Sequence, residues 1–117
     1  MNDITNFRLS KAANDVADKL VATRKFDHVT SAAKFAFAYA LKNFYGKFDP
    51  STYAVSDNDG SNYSVGSFGD LAPYVKVLYP DTDTPYIYVR ALINFGLVEI
   101  GKVIDSEGMP KIYSLCE

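Results

Sequence analysis

Several features that mark common function classes are missing from this sequence. The only cysteine, Cys116, cannot form an internal disulfide, which agrees with a reducing compartment. No stretch approaches the run of about 18 uncharged apolar residues that a membrane span needs. Residues 1–10 also lack the basic and apolar segments of a secretion signal. These absences predict a soluble, cytoplasmic protein that does not contact a membrane.

Residue patterns for catalysis and metal binding are equally scarce. His28 is the sole histidine, and a single ligand does not make a metal site. The segment 57–60 resembles part of a calcium loop, but if Gly60 takes the sixth place, the first and twelfth fall on Val55 and Gly66, where acids are needed. No Ser-His-acid triad and no glycine-rich phosphate loop can be nominated. We therefore predict that the protein is not an enzyme and uses no cofactor, metal or small-molecule substrate.

What the chain does contain is enough apolar material for a folded domain. It has 117 residues, of which 48% are hydrophobic and 15% aromatic, and this size is typical of one domain. We expect a single α+β domain, mainly helical, with about four helices, an N-terminal strand and a C-terminal β-hairpin. The expected order is strand-helix-helix over 1–46, a loop over 47–66 and helix-helix-hairpin over 67–117.

The N-terminal third has clear periodicity. Ile4 to Leu9 alternates in polarity and predicts a short strand, and Ser10 is placed to cap the helix that follows. A second helix, capped by Asp27, Thr30 or Ser31, should end near Gly46. It is apolar almost all round, which predicts burial on more than one side, in the domain centre or in a subunit interface. One apolar stripe defines the first helix: Ala13, Val16, Ala17, Leu20 and Val21.

The rest of the chain begins with polar residues and then regains a pattern. Residues 47–66 are rich in Asp, Ser, Asn and Gly, which predicts a long, mobile loop. A short helix capped by Ser67 or Asp70 should stop before Pro80. Thr84 followed by proline indicates another helix start, and Gly96 a helix end. Residues 97–104 and 111–115 then predict two strands joined by a turn at 105–110.

The segment Ile4-Thr5-Asn6-Phe7-Arg8-Leu9-Ser10, followed by two helices, resembles the ribbon-helix-helix family of DNA-binding proteins over about residues 4–45. The resemblance implies that two chains pair their strands into a ribbon that enters the major groove. Asn6 and Arg8 match the outward positions that read base edges, and Asn and Arg suit adenine and guanine respectively. Thr30 and Ser31 match the helix start that holds a phosphate. The turn lacks the glycine usual in the family.

Two further resemblances concern DNA. The stretch 35–42, Phe-Ala-Phe-Ala-Tyr-Ala-Leu-Lys, looks like part of small accessory proteins of bacterial DNA-modification and defence systems. Residues 91–100 with 105–108 and 112–115 resemble the end of a winged helix, in which a recognition helix runs into a β-hairpin wing. That resemblance implies that Tyr86, Tyr88, Arg90 and Asn94 lie near a DNA-facing side. Winged folds also serve as protein-docking modules.

Charge is distributed unevenly along the chain. Residues 1–47 carry eight Lys and Arg against four Asp, a balance of +4, whereas residues 48–117 carry four against ten acids, a balance of −6. A basic half can indicate an anionic partner, although two ordinary solvated faces would have the same composition. Tyr74, Tyr79, Tyr86 and Tyr88 could stack on bases or lie in an aromatic core.

The sequence thus supports two hypotheses from different classes. In the first, the chain is a bacterial-type, homodimeric protein that binds double-stranded DNA, as a transcriptional regulator or an accessory factor of a DNA-modification system. In the second, it is a protein-interaction or assembly module, in which the apolar second helix and a tyrosine-rich surface bind a partner. The predicted nucleic-acid-binding residues of the first hypothesis are Asn6, Arg8, Lys11, Arg24, Lys25, Thr30, Ser31 and Lys34.

Overall fold

The computed structural model describes residues 3–23, 26–55, 57–108 and 111. Within them the chain forms helices and a small antiparallel sheet, so the predicted α+β class and the mainly helical content are confirmed. A short 3-10 helix, Val65–Phe68, follows the second strand. The elements in chain order are β1 Asn6–Arg8, α1 Lys11–Ala22, α2 Val29–Phe44, β2 Asn62–Ser64, α3 Ala72–Leu78 and α4 Pro85–Glu107.

The beginning of α1 follows the sequence closely. Ser10 is the N-cap, and its side-chain oxygen accepts a hydrogen bond from the Ala13 backbone N–H at 3.1 Å. This bond satisfies one of the amides that a helix start leaves unpaired. Four members of the predicted apolar stripe are buried, and α1 packs on both α2 and α4. For α2 the predicted caps are wrong, because His28 occupies the N-cap and makes no side-chain capping bond.

The N-terminal strand finds its partner inside its own chain. β1 pairs antiparallel with β2, and Phe7 lies opposite Tyr63. The pairing extends past the strands, since the Leu9 N–H donates to the Ser61 carbonyl at 3.3 Å and the Gly60 N–H donates to the Leu9 carbonyl at 3.0 Å. β1 therefore pairs within its own chain along one of its two hydrogen-bonding edges, and pairing between two chains stays a prediction.

The region predicted as a mobile loop, residues 47–66, contains this second strand, so its later part was assigned wrongly. The Asp57 carboxylate accepts from the Lys11 N–H at 2.8 Å, and the Asn14 side-chain oxygen accepts from the Ser61 N–H at 3.0 Å. Gly60 approaches β1 so closely that a Cβ there would lie 2.5 Å from the Leu9 carbonyl oxygen. The strand was missed because only three residues pair, and Asn and Ser are poor strand indicators.

The predicted C-terminal hairpin is wrong in its first strand, because residues 97–104 belong to α4. This helix begins at Pro85 as expected but continues through Gly96 to Glu107. Ile93, Leu97 and Ile100 are fully buried, and their spacing of four and three residues is that of one helix face. Gly96 serves close packing rather than termination, and the true end is Gly108, with φ of 85°. The second predicted strand, 111–115, lies outside the described residues except for Lys111.

One core joins these elements. Its buried side chains come from β1, all four α-helices and the 3-10 helix. The N-terminus is fastened to α4 by Asp3, whose carboxylate oxygens accept from the Tyr86 N–H at 2.8 Å and the Ile87 N–H at 3.1 Å. A carboxylate at a helix start satisfies free amides and interacts favourably with the helix dipole.

Candidate functional site

The outer face of the β1–β2 pair carries the residues predicted to read DNA bases. Asn6 and Arg8 are exposed, and across the pair they lie opposite Ser64 and Asn62. Their predicted outward direction is therefore confirmed. The Arg8 guanidinium donates to the Gly60 carbonyl at 3.1 Å, so part of its hydrogen-bonding capacity is already used.

The other predicted DNA-binding residues lie in different surroundings. Lys11 forms an exposed ion pair with Asp15 at 3.4 Å, and its backbone N–H binds the Asp57 carboxylate. Thr30 and Ser31 lie half-buried in the first turn of α2. Lys34, one turn further along α2, forms an ion pair with Asp70, which precedes α3. Arg24 and Lys25 lie outside the described residues.

The α4 residues that were predicted to lie near a DNA-facing side are buried or half-buried. Asn94 is fully buried: its side-chain oxygen accepts from the Ser10 N–H at 2.8 Å, and its amide donates to the Arg90 carbonyl at 2.9 Å. Tyr86, Tyr88 and Arg90 are half-buried. The placement of Asn94 on a nucleic-acid surface is therefore wrong, because its polar groups hold the start of α1 against α4.

A groove lies between α2 and α3. It has a volume of about 450 Å³, and apolar side chains form most of its wall. The two helices lie on α4 and leave this trough between them. The α2–α3 groove is lined by Lys34, Phe37, Ala38, Leu41, Asp70, Leu71 and Tyr74.

Two polar contacts join α2 and its C-cap to the segment that contains α3. In the groove wall, Lys34 Nζ lies 3.1 Å from an Asp70 carboxylate oxygen. Beyond the groove lining, the Tyr45 hydroxyl donates to the Leu78 carbonyl at 3.2 Å. Both helices run from the first contact towards the second, so they point in the same direction. The α2 wall of the groove runs from Lys34 to Leu41, about 10 Å along the helix.

Large apolar side chains are exposed on α3, one of the two helices that form the groove. Tyr74 is 61% exposed, and Val77, one turn later on α3, is 79% exposed. Ala38 is exposed on α2 and is too small to fill the space beside it. Isolated exposed apolar residues are ordinary on proteins, but apolar residues grouped around a trough are typical of interaction sites.

A smaller pocket of about 250 Å³ lies beyond Tyr45. Tyr79 lines it, and its hydroxyl is buried with no hydrogen-bond partner among the described residues. Burial raises the pKa of Tyr79, and the neighbouring Tyr45 and Asp49 raise it further. Hydrogen bonds from Ser51 lower the pKa of Asp49. At neutral pH the pocket therefore contains a neutral phenol and an ionised carboxylate.

The sequence contained a partial signal for the α2–α3 groove. The all-round apolar character of α2 predicted contacts on more than one side, and Tyr74 belonged to the proposed tyrosine-rich surface. What the sequence could not show is that α3 lies parallel to α2 at a distance that leaves a trough. The other three tyrosines of that set, Tyr79, Tyr86 and Tyr88, are half-buried.

Two searches for other site types gave no candidate in the part of the chain that is described. No cluster of three or more His, Cys, Asp or Glu is placed to hold a metal ion there. None of the helices over the same residues combines the length and the apolar character that crossing a bilayer requires. Comparison of the chain with protein-family models, curated proteins and solved structures found no match.

Proposed function

We propose that this chain is a protein-interaction module that binds a segment of another polypeptide in the α2–α3 groove. The observation that carries the proposal is the groove itself, with Ala38, Leu41 and Tyr74 along its walls. Covering apolar surface of this kind contributes roughly 25 cal/mol per Å². A trough lined by two helices is a common form of peptide-binding site.

The module hypothesis is also supported by how the polar groups of the groove are arranged. The ion pair of Lys34 and Asp70 lies in the groove wall beside apolar side chains, and such a charged pair can fix the orientation of a bound segment. Binding sites often combine such an apolar centre with a few polar groups at the edge.

Selection from a library of displayed helical peptides tests this proposal. The bait is the full chain, and peptides are counter-selected against Ala38→Glu, which places a charge in the trough. Ala12→Glu, an exposed position on α1 outside the groove, is the matched control. We expect peptides that bind the wild type and Ala12→Glu but not Ala38→Glu. Peptides that bind all three equally, or no enrichment at all, would overturn the proposal.

Binding to double-stranded DNA is a second candidate, favoured by the exposed Asn6 and Arg8 on the outer face of the β1–β2 pair. Support for it is weaker than for the groove. The internal pairing removes the need for a second chain to complete the ribbon, and Asp57 binds the backbone next to it. Phosphate binding depends on positive charge.

The salt dependence of binding to random duplex DNA tests this second candidate. A protein that neutralises several phosphates loses affinity steeply as salt rises. If DNA is bound through the β1–β2 face, replacing Asn6 and Arg8 by Ala should abolish any sequence preference. Absence of binding even at low salt would remove this candidate and leave the groove proposal untouched.

A further inference from the structure

The two helices that form the α2–α3 groove carry positive charge only. Residues 29–44 contain Lys34 and Lys42 and no acid, and residues 72–78 contain Lys76 and no acid. Lys47 follows shortly after α2. The chain as a whole has a net charge of −2, so this basic character is local.

Only part of this charge is paired among the described residues. Lys34 is paired with Asp70, but in the described part of the chain no acid lies within ion-pair distance of Lys42 or Lys76. Lys42 follows Leu41 and is one helical turn beyond Ala38, which places it beside the groove. Lys47 lines the smaller pocket together with the Asp49 carboxylate.

The shape of the groove favours a helix as the occupant. The backbone groups of α2 and α3 are used within those helices, so they offer no edge to which an extended strand could bond. A bound helix satisfies its own backbone hydrogen bonds. The exposed Ala38 leaves room for close approach, and the α2 wall of about 10 Å fits roughly two helical turns.

We propose that the partner in the α2–α3 groove is an acidic amphipathic helix of another protein. Its apolar stripe would contact Ala38, Leu41 and Tyr74, while carboxylates beside that stripe would face Lys42. This inference rests on the proposed function, to which it adds the chemistry of the partner. Opposite charge at the rim of such an interface directs partner choice and association rate more than it adds affinity.

A set of three synthetic peptides of about 14 residues tests the inference. The first has leucines at i, i+3, i+4 and i+7, with glutamates on the flanking positions. The second replaces every glutamate by lysine, and the third has the composition of the first in a shuffled order. We expect the acidic amphipathic peptide to bind about tenfold more tightly than the basic one at low salt, with the difference shrinking as salt screens the charges.

Charge reversal on the protein sharpens the same test. Lys42→Glu should weaken binding of the acidic peptide and strengthen binding of the basic one. The matched control is Lys19→Glu, an exposed lysine on α1 outside the groove, which should change neither. Circular dichroism checks that both variants keep the helical content of the wild type.

The outcomes separate this inference from the function on which it rests. Acidic and basic peptides that bind equally, and lose binding with Ala38→Glu, would overturn the acidic partner and leave the groove as a docking site. Binding by the shuffled peptide, or by none, would overturn both. If sedimentation shows a dimer that Ala38→Glu disperses, the occupant is a second copy of the chain, and the inference is wrong.

Discussion

The two sides of α2 differ although both are largely apolar. On what we term the closed side, α2 packs on α4 so tightly that a Cβ built on Gly96 would lie 2.2 Å from the Ala36 carbonyl oxygen. On the open side, Ala38 and Leu41 face the α2–α3 groove. The same residue type, alanine, allows helix contact on one side and leaves a trough on the other. Apolar content therefore indicates surfaces that need cover, but not which element covers them.

The largest effect should come from filling the closed side. Gly96→Ala should lower the free energy of unfolding by about 3 kcal/mol, because the new methyl group meets backbone that cannot move aside. Urea denaturation measures it. The matched control is Gly101→Ala on the same helix, where a Cβ meets only a Val16 methyl group at 2.7 Å. It should cost far less, and equal losses for the two variants would mean that the α2–α4 contact is not as tight as described.

The next effect concerns the buried polar contact between α4 and the start of α1. Asn94→Ala removes the acceptor of the Ser10 N–H and leaves that amide buried and unpaired, which should cost about 2 kcal/mol. Asn43→Ala is the control, since Asn43 also donates to the carbonyl four residues before it but is exposed. It should change stability by less than about 0.5 kcal/mol. Faster hydrogen exchange at Ser10 should accompany the loss, and unchanged exchange would argue against the bond.

One substitution in the smaller pocket beside Tyr45 should stabilise the protein. The Tyr79 hydroxyl is buried and has no hydrogen-bond partner in the described part of the chain, so Tyr79→Phe should raise the free energy of unfolding by about 1 kcal/mol. Tyr45→Phe, which removes the bond to the Leu78 carbonyl, should instead lower it slightly. Thermal unfolding compares the two, and a loss of stability in Tyr79→Phe would show that the hydroxyl has a bonding partner.

The Tyr79→Phe variant has a pH dependence of known sign. The pKa of Tyr79 is raised from its usual value of 10.0 by burial first and then by Tyr45 and Asp49. The folded state therefore holds this proton more tightly than the unfolded state. The resulting stability is fully present below pH 10.0 and is lost as the pH rises through the folded pKa. Unfolding measured across this range should show a smaller alkaline loss for Tyr79→Phe than for the wild type.

The smallest effect on stability is expected in the groove itself. Ala38→Glu should change the free energy of unfolding by less than about 0.5 kcal/mol, because the position is exposed and Lys34 and Lys42 lie one turn away on either side. The same substitution should abolish peptide binding. Ala12→Glu should be equally neutral for stability and leave binding intact. A large destabilisation by Ala38→Glu would mean that the open side belongs to the core.

Local patterns predicted the elements whose signals lie within a few residues. The alternation around Phe7, the cap at Ser10 and the start at Pro85 were all read correctly, since each depends on neighbours along the chain. The prediction of a C-terminal hairpin was wrong because a glycine followed by apolar residues can mark either the end of a helix or a close contact between two helices. Only the nearness of Ala36 distinguishes the two.

The candidate functional site also has some features that the local sequence predicted and others that depend on tertiary contacts. Asn6 and Arg8 were correctly placed on an outward face because strand alternation determines direction. The sequence also indicated that α2 has more apolar surface than one neighbour can cover. It could not assign Asn94 to the interior, because that depends on the Ser10 amide 84 residues earlier in the chain.

The sequence by itself determined the composition of a small helical α+β fold, the starts of α1 and α4, and the absence of charge from one side of α2. Tertiary structure alone decided that β1 pairs with β2, that α4 continues past Gly96, and that α3 lies beside α2 across a trough. The physical reason is that periodicity and capping act between residues a few positions apart. Strand pairing, close helix contacts and grooves depend on segments that meet only when the whole chain has folded.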